Sequence, residues 1–417
     1  MPRSVAAGAA LCKSRWSSPM AAGPRDGSMA VVRILFTASP LVGHVFPMLP
    51  LMHAAREAGH EVVMATGADM VPDVARRGFA TWTVGGGFGE AVAELEEANA
   101  APAATHEEQL GRDAVHLFAR PSARRARDLI PRAAAWRPDI VISEITELAG
   151  REAACATGAL AVTHGFGTHV PDTLLFAGVM FDHVSAELGT PNRRHAFETG
   201  VYVDPCPPGL QSAGLADMDV WPVRPSAGQV GPEDRLPRQF LELPERPLVY
   251  VTLGTVFNDP DLVRSVLDAL QDLPISIAVT TGPGTDPSVI GPRPAHVAAA
   301  PFVPQALVLP RASAVVSHTG SGTMLGALAS GLPQVCLPRG ADQFANAERL
   351  HAIGAGIRLL PDDVTPERLR AAVSSVLNDP AYTRAATAMK SEIAAMPSAA
   401  DVLDDLVSLA QSTRQVA

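Results

Sequence analysis

Six prolines and two glycines crowd the segment 222–247: Pro222, Pro225, Gly228, Gly231, Pro232, Pro237, Pro244 and Pro247. Neither a helix interior nor a central strand tolerates that density, so the segment reads as a linker that divides the chain. The same kind of unit stands on both sides. Val31-Val32-Arg33-Ile34-Leu35-Phe36 is a short apolar run that predicts a buried parallel strand. A loop over 37–46, a helix opened by Pro47 and stopped by Gly59, and a strand over 61–66 complete a βαβ start. Further strands are expected at 139–143 and 159–163, with 85–130 helical and loop-rich. Beyond the linker, strands are expected at 248–253, 275–281, 314–317 and 333–337, and helices at 261–271, 322–329, 342–352 and 366–377. The stretch 401–409 is amphipathic and predicts a final helix. The fold class is therefore α/β: two parallel-sheet, Rossmann-like halves facing across a cleft, the place where such sheets bind ligands.

Composition removes several classes of function. Thirty-three basic against 43 acidic side chains leave a net charge of −10, which repels a phosphate backbone, so no nucleic-acid partner is expected. No run of about 18 apolar residues suggests a membrane span. The four cysteines are scattered, with no Cys or Cys/His cluster of zinc spacing, and fit a reducing cytoplasm. The first 28 residues, with no acid before Asp26, read as a disordered extension or an upstream start with Met29 as an alternative initiator. A weak targeting signal is the other reading, although the apolar stretch near Val5 to Leu11 is short for one and is interrupted by Gly8.

Two loops carry candidate chemistry. Ser317-His318-Thr319-Gly320-Ser321-Gly322-Thr323 follows a strand and opens a helix. Small residues allow close backbone approach, and free N–H groups with the helix dipole favour a phosphate; a plain glycine turn is the competing reading. Thr252-Leu253-Gly254-Thr255 is a second glycine turn, Phe302-Val303-Pro304-Gln305 precedes the first, and Asp342-Gln343 opens a later helix. Asp342 and Gln343 together supply acceptors and donors suited to sugar hydroxyls, while Asp342 could equally serve as an N-cap. In the first half His44 stands in the loop after the first strand, just ahead of a helix. Such a histidine has the pKa of a general base, although taken alone a loop histidine is more often structural. Asp217-Met218-Asp219 sits at the edge of the linker, away from any glycine turn, and is not read as a metal site.

These residues resemble the GT-B glycosyltransferases of the UDP-glycosyltransferase superfamily, in particular the actinobacterial enzymes that glycosylate macrolides, enediynes and other natural products. The resemblance covers about 31–410 and is most specific over 302–346, where Phe-Val-Pro-Gln, His-x-Gly-x-Gly-Thr, Gly-Leu-Pro-Gln and Ala-Asp-Gln-Phe-x-Asn-Ala follow in order. It implies an acceptor-binding domain over 29–221, a linker over 222–247 about which the domains close, a nucleotide-sugar domain over 248–396, and a C-terminal helix over 397–417 packing back on the first domain. It implies that Phe302 and Val303 meet the nucleotide base; that Gln305, Thr255, His318, Gly320, Ser321, Gly322 and Thr323 belong to the nucleotide and diphosphate site; and that Asp342 and Gln343 bind the sugar. Ser317 and Thr319 depart from the family, standing where many relatives carry His and Gly, and Thr319 puts a side chain beside the phosphate turn. His44 takes the place of the family's catalytic base. Glu144 is the acid expected to orient it, with Glu147 the nearest alternative. Phe88, Phe118, His164, Phe166 and His169 are expected to line an apolar acceptor pocket. The implied reaction is metal-independent, inverting transfer from a TDP- or UDP-sugar to a natural-product hydroxyl, with no cofactor. The alternative is a non-catalytic scaffold that assists another transferase.

Overall fold

The computed structural model describes residues 31–416 apart from 101, 102, 104, 170–172, 213, 216, 217, 227, 229, 231, 232, 255–258 and 283. The expected extension over 1–28, Asp217 and Thr255 lie outside the described residues. The first sheet has the order β3-β2-β1-β4-β5-β6-β7, with β1 Arg33–Thr37, β2 Glu61–Thr66, β3 Ala80–Thr83, β4 Ile140–Glu144, β5 Leu160–His164, β6 Val201–Asp204 and β7 Asp219–Pro222. The second has the order β10-β9-β8-β11-β12-β13, with β8 Leu248–Thr252, β9 Ser276–Thr280, β10 Val297–Ala300, β11 Ala314–Ser317, β12 Gln334–Cys336 and β13 Gly356–Arg358. Every pairing is parallel. The order reverses between β1 and β4 and again between β8 and β11, so each sheet opens a crevice at that point.

Burial on both faces explains why the central strands are continuous apolar runs. In β1, Ile34 and Phe36 enter a core with Met48, Leu51 and Met52, while Leu35 enters the opposite one with Leu129 and Ala153. In β8, Val249 and Val251 face one layer and Tyr250 the other. Among the strands that escape sequence recognition, β3, β7 and β13 are short edge strands with mixed burial, and β6 is a four-residue strand inside the first sheet. The expected loop over 37–46 is also partly helical. Leu41 is extended, Val42–Val45 forms one α-turn, and Phe46–Met48 tightens to a 3₁₀ turn around Pro47 before the helix Leu49–Glu57.

The chain crosses between the halves twice, and the crossings are bonded together. Arg224 donates its backbone N–H to the Pro397 carbonyl at 2.8 Å and its guanidinium to the Met396 carbonyl at 2.9 Å. The last helix, Ala399–Val416, then returns to the first half, where Val402, Leu403, Leu406, Val407 and Ala410 complete the core beneath β1. Further contact comes from Cys206 and Leu210, which pack into the second half beside Leu350 and Met389, and from Arg349, which donates to the Leu210 carbonyl at 2.8 Å. Among the described residues no helix is long and apolar enough to cross a membrane.

Leu406 is fully buried in the first half although it follows the second half in sequence. Leu406→Ala should therefore destabilise the first half by about 2–5 kcal/mol, measured by chemical denaturation. An unchanged midpoint would mean that the helix is not part of that core.

Candidate active site

His44 lies in the α-turn at the carboxyl edge of the first sheet, and Glu144 is the last residue of β4, the neighbour of β1. The switch point brings them together. His44 Nδ1 stands 3.0 Å from Glu144 Oε2, with the carboxylate fully buried and the imidazole 14% exposed. Thr146 orients the acid: its N–H donates to Oε1 at 2.8 Å and its hydroxyl to Oε2 at 2.8 Å. A carboxylate only accepts, so Nδ1 carries the proton and Nε2 keeps the lone pair of a base. Burial opposes an imidazolium here, but the charge and hydrogen bond of Glu144, helped by the charge of Asp342 from the other half, outweigh it and raise the His44 pKa. Glu147, the other candidate acid, is committed elsewhere. It pairs with the buried guanidinium of Arg125 and accepts from the Ala149 N–H at 2.8 Å. Burial pushes its carboxyl up against the attraction of Arg125.

An aromatic wall surrounds His44. The Phe166 ring is 4.8 Å from the imidazole and the Phe118 ring 5.9 Å, and Phe118 continues to Phe88 at 6.5 Å and Phe176 at 5.6 Å. Phe118 sits in a π-helical stretch, Ala114–Ala119, which feeds into the helix Arg120–Trp136. His164 and His169 are placed differently. His164 is buried, donates from Nδ1 to the Gly165 carbonyl at 2.5 Å, and has its pKa pushed down to about 4 by burial. His169 is buried against Gly214, and its backbone N–H donates to Gln211 Oε1 at 2.7 Å. Neither ring makes a ring contact with the phenylalanines among the described residues. Met180 and Phe181 are core residues.

The second half presents the open start of the helix Ser321–Ser330 at the end of β11, with Gly320 as N-cap and no side-chain cap. Its first N–H groups have no intrahelical partner, and the space beside Gly322 is open. The His318 ring is clamped by two glycines: a Cβ at Gly254 would lie 2.7 Å from its Nε2, and one at Gly320 would lie 2.6 Å from it. Burial lowers the His318 pKa and favours the neutral ring, against the charge of Asp342 and a hydrogen bond with the Thr252 backbone. Thr323 Oγ1 accepts from Gln305 Nε2 at 2.8 Å, which leaves its proton to give. Val303 is buried, whereas Phe302 beside it is 49% exposed.

Thr319, the departure from the family pattern, adopts φ +66°, a left-handed conformation that costs an ordinary residue about 1–2 kcal/mol. The other departure compensates. Ser317 Oγ accepts the Thr319 N–H at 3.0 Å, and the Thr319 carbonyl accepts from Asn346 Nδ2 at 3.0 Å. Thr319 is wholly buried, and its hydroxyl donates to the Ser317 carbonyl at 3.4 Å.

Asp342 occupies the N-cap position of the helix Gln343–Ala352, but its side chain caps nothing. Its Oδ2 instead accepts from Ser321 Oγ at 2.6 Å and from Asn346 Nδ2 at 2.8 Å. The Ser321 hydroxyl is thus spent on Asp342, and Ser321 can offer a phosphate only its backbone N–H. Gln343 Oε1 is taken by the N–H groups of Arg339 at 2.8 Å and Gly340 at 3.2 Å, leaving its amide nitrogen for a ligand. Two residues escaped the sequence reading of the site. Thr146 stands two residues after Glu144, and Asn346 stands one helical turn after Asp342, a spacing that puts both on one face. Among the described residues no group of three or more His, Cys, Asp or Glu side chains gathers to hold a metal ion.

Residues 53–223 match the N-terminal domain of the family described as erythromycin biosynthesis protein CIII-like, and residues 264–409 match its C-terminal domain. The L-demethylnoviosyl transferase of Streptomyces niveus is 32% identical over 387 residues, covering 90% of this chain and 97% of that protein. The 10-deoxymethynolide desosaminyltransferase of Streptomyces venezuelae is 29% identical over 92% of this chain and 98% of its own. The crystal structure of the glycosyltransferase VinC in complex with dTDP superposes with a TM-score of 0.73 at 26% identity, covering 91% of this chain and all of that one. Two family domains in sequence, two parallel sheets around a cleft and relatives matched along nearly their whole length lead to one conclusion: the chain belongs to the erythromycin biosynthesis protein CIII-like family of actinobacterial natural-product glycosyltransferases, with the GT-B fold.

Proposed function

We propose that the chain transfers a sugar from a TDP- or UDP-sugar to a hydroxyl of an apolar natural product, by a single inverting displacement that needs no metal ion or other cofactor. The observation that carries this reading is the state of His44. Its Nδ1 is bonded to a buried, doubly held carboxylate, and its Nε2 remains a free base beside an aromatic wall. The acceptor lies against Phe118 and Phe166 and gives its hydroxyl proton to Nε2 as its oxygen attacks the anomeric carbon. The bond from that carbon to the diphosphate oxygen breaks on the opposite face. The leaving charge falls on the open helix start at Ser321, with neutral His318 and the Thr323 hydroxyl as further donors. Asp342 accepts from the sugar hydroxyls. The VinC complex with dTDP supports TDP as the nucleotide. The non-catalytic scaffold is not favoured, since such a protein has no use for an oriented base.

Three tests follow. The base must be neutral to act, and its pKa is raised, so kcat/KM should fall on the acid side with a midpoint above the usual histidine value of about 6.5. In Glu144→Gln the raising charge is gone and burial remains, so the midpoint should move to lower pH, with a loss in rate of about 10²–10⁴. A midpoint that stays put would remove Glu144 from the pair. His44→Ala should abolish transfer while sparing TDP binding, with His44→Asn as a control that keeps a donor to Glu144; turnover in both would reject the base. Calorimetric titration with TDP and UDP in EDTA should show saturable binding, weakened about tenfold or more in His318→Ala. Binding or turnover that requires added magnesium would reject the metal-free reading.

A further inference from the structure

Three residues after β5 touch both halves of the site. Phe166 packs on His44, as described. Gly167 lies against the first residue of the second-half helix: a Cβ there would fall 2.5 Å from the Ser321 Cβ. The Thr168 hydroxyl donates to Asn346 Oδ1 across the cleft. Asn346 is fully buried, and its amide nitrogen faces the Thr319 carbonyl at 3.0 Å, Asp342 Oδ2 at 2.8 Å and Ser321 Oγ at 3.1 Å. A carbonyl and a carboxylate can only accept, so the orientation of this amide is determined: nitrogen toward the donor site, oxygen toward Thr168. The Thr319 carbonyl, the Ser321 hydroxyl and the Asp342 carboxylate thus meet at one side chain, and that side chain accepts a hydrogen bond from the other domain.

We propose that Asn346 is a positioning residue for the nucleotide-sugar and that Thr168 engages it from the acceptor-side domain, so that the phosphate turn and Asp342 are set by the loop that also carries Phe166. The proposal rests on the reading of this cleft as a glycosyltransferase site. Its chemical content is a coupling: the loop that meets the acceptor reports on the turn that meets the diphosphate, through one hydroxyl and one amide. Without the Thr168 hydroxyl, Asn346 Oδ1 is a buried acceptor with no donor, and the amide that holds the left-handed turn at Thr319 loses its anchor. Gly167 serves the same contact sterically, because a side chain there strikes Ser321 and holds the loop off the helix.

The test uses the full chain and TDP as the probe, by calorimetric titration. Thr168→Val, which keeps the shape and removes the hydroxyl, should weaken TDP about fivefold, the scale of one buried hydrogen bond. Thr168→Ser should restore it. Gly167→Ala should weaken it as well, with circular dichroism showing that each variant is folded. In an Asn346→Ala background Thr168→Val should add less than about twofold, because its partner is already gone. A wild-type chain that binds neither TDP nor UDP would overturn the functional reading itself. With wild-type binding intact, full affinity in Thr168→Val, a Ser variant as weak as the Val variant, or simple additivity with Asn346→Ala would each overturn the relay and leave that reading standing.

Discussion

A parallel sheet must be covered on both faces, and its strands all end at one edge. Both constraints run through this protein. Covering both faces accounts for the apolar runs in β1 and β8 and for the return of the last helix, which closes the core beneath β1. Ending at one edge brings His44 and Glu144, distant in sequence, to neighbouring strand ends. The same rule in the second sheet puts His318 and the start of the helix Ser321–Ser330 at the end of β11. Chemistry is then confined to the loops at these edges, and the cores are left to packing.

The site sets two carboxylates to different tasks. Glu144 is fully buried and bonded on both oxygens by Thr146 and His44, so it holds the ring and its tautomer in one orientation. Asp342 is partly exposed and bonded on one oxygen by Ser321 and Asn346, which orients it while leaving capacity for a ligand. Its charge also reaches His44 from the opposite domain. A third carboxylate, Glu147, is neutralised by Arg125 and belongs to the scaffold. Three acids within one region are separated in role by what each is bonded to, and the residue types alone do not make that distinction.

Much of this was legible in the chain. The central strands are apolar on both faces and stood out. Short edge strands such as β3 and β13, with mixed burial, carry no comparable pattern. Phe88, Phe118 and Phe166 were legible as pocket candidates by residue type, and the structure brings them together around His44. His164 and His169 had the same standing in the sequence, and the structure buries both, His164 against the Gly165 carbonyl and His169 against Gly214. The turn around Thr319 shows the same boundary. The sequence displays two departures, Ser317 and Thr319, without showing that one bonds the other.

The amino-acid sequence by itself determined the two βα series, the breaker-rich linker between them and the glycine turn that opens a helix, because strand and helix periods and turn residues act over a few neighbouring positions. Only the tertiary structure decided which acid holds His44, that the Ser321 hydroxyl is spent on Asp342, and that Thr168 reaches Asn346 from the other domain. Those pairings join residues up to 178 positions apart. A hydrogen bond depends on a distance of about 3 Å and on which lone pairs are already taken. Neither quantity exists until the chain has closed on itself.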